Sequence, residues 1–124
     1  MSITHRVLIF GGRSFGDVHR FRVALDTFRS KHIGPDDKWC IIQGKANGAD
    51  RLAENYAALE GIPCISVAAN WLVYNRGAGP IRNQWMLDFC APTYAIAFPG
   101  GKGTADMTRR VQDAGITLWV PYES

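Results

Sequence analysis

The sequence predicts an α/β protein: a three-layer α/β/α sandwich around a mainly parallel five-stranded sheet. Three observations carry this. Strand-length apolar runs alternate with segments of helical spacing along the whole chain. The runs are apolar throughout, as strands covered on both faces must be. Glycine-rich turns follow the first, second and fourth runs, where strands give way to helices.

The first strand is read at Arg6 to Phe10, closed by Gly11-Gly12. Phe21, Ala24, Leu25 and Phe28 then keep helical spacing, which predicts a helix from about Asp17 to Lys31. Gly34-Pro35-Asp36-Asp37 is a turn. Trp39 to Gln43 is the second strand, and Leu52, Ala53, Tyr56 and Ala57 mark a helix stopped by Gly61. Pro63 to Val67 is the third strand. Ala69 to Gly79 is polar-aromatic and reads as an irregular loop. Pro80 suits the first turn of the next helix, whose apolar stripe is read as Ile81, Trp85 and Phe89 facing the core. Tyr94 to Phe98 is the fourth strand, Ala105 to Ala114 the last helix, and Ile116 to Val120 the fifth strand.

With 124 residues, 47% of them hydrophobic and 20% charged, the chain is expected to form one soluble domain. Its formal charge of +3 is too small to argue for nucleic acid by itself. No apolar run is long enough for a membrane span, and the first residues lack the apolar core of a signal peptide, so a cytoplasmic location is expected. Cys40, Cys64 and Cys90 are scattered, as are His5, His19 and His32, so neither a metal nor a cofactor is expected.

In a sheet of this type ligands bind beyond the carboxyl ends of the strands. Three glycine-rich loops fall there, each with one cation: Gly11-Gly12-Arg13, the segment from Gly44-Lys45 through Gly48 to Asp50, and Pro99-Gly100-Gly101-Lys102-Gly103-Thr104. Arg82, read in the first turn of the helix after the third strand, joins them on the same edge. The loop at 99–104 enters a helix, the layout that offers backbone N–H groups and a positive helix end to an anion. A Walker A loop requires Ser or Thr after Gly-Lys, whereas Gly103 follows Lys102. The G-x-G-x-x-G fingerprint is absent after the first strand.

Pro99 to Thr104 resembles the PGGxGT signature of the LONELY GUY nucleoside-monophosphate phosphoribohydrolases. Gln43 to Ala53 resembles a segment of the DNA-processing Smf proteins, and Gly11-Gly12-Arg13 and Ile81-Arg82-Asn83 have counterparts there. Together these are similar to the SLOG superfamily, of Rossmann-like fold, and most similar to its small YspA/YpsA-related branch of bacteria and phages. The pattern GGR, GxAxGAD, AGPIRNxxM, AFPGGxGTxxM runs in order through the chain. The resemblance implies binding of a nucleotide or nucleotide-derived signal. The LONELY GUY motif continues to a catalytic glutamate, and Met107 stands at that position here.

The phosphate is expected on the amides of Gly101, Lys102, Gly103 and Thr104, with Arg82 as a second clamp and Arg13 as a pocket cation. Asn83 is either a surface residue or a site residue. Asp50 either stabilises a helix start or accepts a ribose hydroxyl. Trp71 and Tyr74 either stack on a base or pack their loop down. Asp50, Arg82 and Asp106 are the catalytic candidates, although Asp106 can instead pair with Arg109 or Arg110 at helical spacing. Three functions follow: a nucleotide-binding module, an N-glycosidic hydrolase of nucleoside monophosphates, and, more weakly, a single-stranded DNA binder. A homodimer through the helix carrying Trp85, Met86 and Phe89 is a further expectation.

Overall fold

A computed structural model describes residues 2–123. Its sheet contains β1 (Thr4–Phe10), β2 (Lys38–Gln43), β3 (Cys64–Ser66), β4 (Tyr94–Ala97) and β5 (Leu118–Trp119). The strand order is β3-β2-β1-β4-β5, and every pairing is parallel. The helices are α1 (Val18–His32), α2 (Ala49–Glu60), the short α3 (Trp71–Tyr74), α4 (Ala78–Cys90) and α5 (Lys102–Asp113). A 3-10 turn, Asn75–Gly77, joins α3 to α4.

Two-residue alternation along the strands sorts the core into two layers. Val7 and Ile9 of β1, Trp39 and Ile41 of β2, and Ile96 of β4 face α1 and α2, where they meet Phe21, Leu25, Phe28, Ala53 and Tyr56. Leu8, Phe10, Ile42, Ala95 and Ala97 point the other way, toward Met86 of α4 and Met107 and Val111 of α5. Both faces of the sheet are thus covered, and the architecture is a Rossmann-like sandwich. Burying one large side chain such as Phe28 or Leu25 contributes about 1.5–3 kcal/mol.

Local chemistry sets the helix ends. Asp17 caps α1 by accepting from the Arg20 amide at 3.0 Å. Gly61, in the left-handed region, closes α2. The turn before β2 carries the Asp37 amide bonded to the Gly34 carbonyl at 3.1 Å. The Asp37 carboxylate also accepts from His5 Nε2 and the Gly34 amide at 2.9 Å, and from the Ile3 amide at 3.0 Å. These bonds hold its pKa down at about 2.

Three expectations need correction. The segment 69–79 is largely helical: Asn70 caps α3 by accepting from the Val73 amide, and α4 already begins at Ala78. Arg82 therefore sits in the second turn of its helix, not the first. The core-facing stripe of α4 is also different. Ile81, Trp85 and Phe89 are 46%, 46% and 69% exposed, while Ala78, Gly79, Asn83, Met86 and Cys90 are buried. Apolar residues surround this helix on most sides, so spacing alone did not identify its inner face.

The chain runs outward from β1 to β3, then returns past β1 to β4 and continues to β5. The crossovers therefore diverge between β1 and β4, opening a crevice at the carboxyl ends of those two strands.

Candidate functional site

The crevice is built by two loops locked against each other. The Gly12 amide donates to the Pro99 carbonyl at 2.9 Å, and the Gly12 carbonyl accepts from the Phe15 and Ala49 amides, each at 3.2 Å. The backbones touch closely enough that a Cβ on Gly100 would strike Thr104 Oγ1 and come within 2.6 Å of the Gly12 nitrogen. Gly48, at φ +77°, packs just as tightly under Gly12 and Arg13. Gly48, Pro99 and Gly100 thus form framework and line neither of the two cavities of the cleft, whereas Gly12 contributes to both framework and lining.

Beyond that framework α5 begins. Gly101 is its N-cap residue and no side chain caps it. The amides of the first turn of a helix have no intrahelical acceptors. Gly101, Lys102, Gly103 and Thr104 line a cavity of about 450 Å³, together with Gly12 and Arg13 from the β1 side. Met107, where the resemblance to the LONELY GUY motif would set a glutamate, is buried in the core and lines the cavity.

The opposite wall comes from the loop after β2, from α2 and from α4. Gln43, fully buried at the end of β2, donates to Ser66 Oγ at 2.5 Å and accepts from the Lys45 amide at 2.6 Å. Lys45 itself stands in the left-handed region, at φ +59°. The Lys45 ammonium lies 2.6 Å from Glu54. Asp50 is only 6% exposed and accepts from the Ala46 amide at 3.3 Å. Burial pushes its carboxyl up to about 6, against the Ala46 bond and the neighbouring Arg82 charge, both of which act to lower it.

Arg82 is held by the protein. Its Nη1 donates to the Gly44 carbonyl and, at 3.4 Å, to the Val67 carbonyl, while Nε donates to Asn83 Oδ1 at 3.0 Å. Burial lowers its pKa, and Asp50 opposes the shift. Asn83, 5% exposed, is not a surface residue: it passes the connection on by donating from Nδ2 to Asp106 at 3.1 Å. Asp106 also accepts from Arg110 Nε at 2.8 Å and Arg109 Nη2 at 3.0 Å. Burial acts to raise its pKa, but the bonds from Arg110 and Asn83 and the two guanidinium charges hold it below the usual carboxylate value. A polar chain thus runs from Gly44 through Arg82 and Asn83 to α5.

Asp50, Arg82, Asn83 and Asp106 all reach the same cavity as the α5 turn. Gly44 and Lys45 instead line a smaller adjoining cavity of about 270 Å³. Arg13 and Trp71 border both, with the guanidinium 5.2 Å from the indole centroid. Tyr74 lines neither. Arg76, in the 3-10 turn, is a lining cation that no periodic signal in the sequence singles out.

No helix among the described residues is long and apolar enough to cross a membrane. No curated protein matches the chain, and no solved structure does. One family model matches residues 5–74, a stretch that holds Gly11-Gly12-Arg13 and the loop after β2 and stops before Arg82 and the α5 turn. That match spans more than half of the chain and agrees with the parallel sheet and its divided crossovers, so the chain belongs to the YspA, cpYpsA-related SLOG family.

Proposed function

We propose that this chain binds a nucleotide or nucleotide-derived small molecule, seating a phosphate against the first turn of α5. The observation that carries the reading is the uncapped turn Gly101 to Thr104 opening directly onto the 450 Å³ cavity. Arg13, Arg76 and Lys102 bring positive charge to the same space. A cavity of this size falls within the range of small-molecule sites. Each charge-assisted hydrogen bond contributes about 1.5–3 kcal/mol. Trp71 offers a π-face for a base. Asp50, which lines the same cavity, would accept a hydroxyl hydrogen bond.

Asp50 also supports a second reading, hydrolysis of a base–ribose bond. A buried carboxyl titrating near neutrality can move a proton. Asp106 suits that role poorly, because Arg109, Arg110 and Asn83 occupy its oxygens.

Thermal-shift measurements with AMP, CMP, NAD and ADP-ribose, followed by chromatography of the same mixtures, separate the two. Binding at about 100 times the dissociation constant adds about 2.7 kcal/mol of stability. The binding reading expects a shift without free base. The shift should be lost in Gly101→Val, whose Cβ meets nothing within 4 Å, and a retained cooperative unfolding transition checks the variant's fold. Catalytic release of base, abolished in Asp50→Asn, would establish the hydrolase instead. No shift from any of the four compounds would remove the proposal.

A further inference from the structure

The smaller cavity at the carboxyl ends of β2 and β3 differs in charge from its neighbour. Arg13, Lys45 and Arg82 line it, and among the described residues no Asp or Glu does. The larger cavity, by contrast, sets Asp50 and Asp106 among its cations. The two share Arg13, Ala46, Trp71 and Arg82, so they are lobes of one cleft with the Arg13–Trp71 stack on their common border. Lys45 belongs only to the smaller lobe. Glu54 engages its ammonium, which has three N–H donors and keeps others to offer.

We infer that the smaller lobe is a second anion subsite, and that the ligand is a nucleotide carrying anionic groups at two separated points. This rests on the function proposed above: one phosphate lies on the α5 turn, and the other reaches past Trp71 to Lys45 and Arg13. A nucleoside with phosphates on two different ribose positions has that chemistry. A mononucleotide fills only the larger lobe, and a nucleotide with adjacent phosphates concentrates its charge there.

Titration calorimetry at fixed ionic strength tests this with AMP, ADP and adenosine 3′,5′-bisphosphate. The bisphosphate is expected to bind about 10-fold or more tighter than AMP, and tighter than ADP, as one additional charge-assisted contact allows. Lys45→Glu should bring the bisphosphate-to-AMP ratio to about one. Lys45→Gln, which removes the charge without reversing it, should give an intermediate ratio, and a retained cooperative unfolding transition verifies each fold even where loss of the Glu54 pair lowers the midpoint. A wild-type ratio near one, ADP binding as tightly as the bisphosphate, or a ratio insensitive to both Lys45 variants overturns the second subsite. AMP binding without any gain from the second phosphate ends this inference and leaves the proposed function standing. No binding by any of the three nucleotides ends both.

Discussion

The Arg82 guanidinium donates to the carbonyl oxygen of Gly44, fastening α4 to the carboxyl end of β2 across the cleft. The contact turns a residue that the sequence suggests as a ligand clamp into a structural tie as well. Arg82→Ala should lower stability by about 2–4 kcal/mol, since it strips the Gly44 and Val67 carbonyls of a donor and leaves Asp50 without its cation. Urea unfolding measures this. A loss below about 0.5 kcal/mol would mean that the tie contributes little.

Gly100 and Gly103 should respond oppositely to alanine. A Cβ on Gly100 collides with Thr104 Oγ1 and the Gly12 backbone, whereas one on Gly103 meets nothing within 4 Å. Gly100→Ala is expected to cost about 1–3 kcal/mol through overpacking. Gly103→Ala should be neutral or stabilise by up to about 1 kcal/mol through helix propensity. Equal midpoints for the two variants in thermal unfolding would contradict the interlocked loops.

Asp50 predicts a pH dependence of definite sign. Its folded pKa of about 6 lies above the ordinary 3.8, so the folded state holds this proton more tightly than the unfolded chain. The resulting stabilisation is full below about pH 4 and is lost as pH rises through 6. Relative to Asp50→Asn, the wild type should therefore lose about 1–3 kcal/mol between pH 4 and pH 7. Denaturant titrations of both proteins across that range measure the difference. A flat difference, or one of opposite slope, would place the carboxyl in a more polar setting than its burial indicates.

Asp37 behaves in the reverse sense. Its pKa is lowered to about 2, by the His5 hydrogen bond first and the Gly34 and Ile3 amides next. The stabilisation it provides is present above its unfolded value of 3.8 and fades as pH falls through 2. Asp37→Asn should lower the melting temperature at neutral pH and match the wild type near pH 2. A constant difference at both pH values would show that the carboxylate charge is not involved.

Phe89→Ser and Met86→Ala test which side of α4 is inward. The buried Met86 should cost about 2–5 kcal/mol on truncation, and the exposed Phe89 within about 0.5 kcal/mol. The opposite ranking would reverse the helix.

Much of this molecule is legible in its sequence, for identifiable reasons. The Val7 to Phe10 run is apolar at every position because helices cover both sheet faces, and the glycine loops mark where strands meet helices. The misread face of α4 depends on a partner distant in sequence. Ile81, Trp85 and Phe89 have the same helical spacing as an inner stripe, yet the inner stripe includes polar Asn83. Asn83 is tolerated there because Arg82 and Asp106 satisfy its amide. Gln43 is buried for a similar reason, between Ser66 and the Lys45 amide. The helical segment after Asn70 escapes a periodicity argument because Trp71, Leu72, Val73 and Tyr74 are all exposed, Leu72 at 98%.

The Gly12 peptide is bonded on both sides, to Pro99 through its nitrogen and to Phe15 and Ala49 through its oxygen. It acts as the keystone of the cleft floor, and loosening it would dismantle three junctions at once. In the proposed function, adjustment to an arriving guest would fall to the roof of the cleft, where Trp71 and Arg76 stand on short helical turns in contact with solvent. Selectivity among related guests would then evolve most cheaply by changing the roof while leaving the keystone untouched.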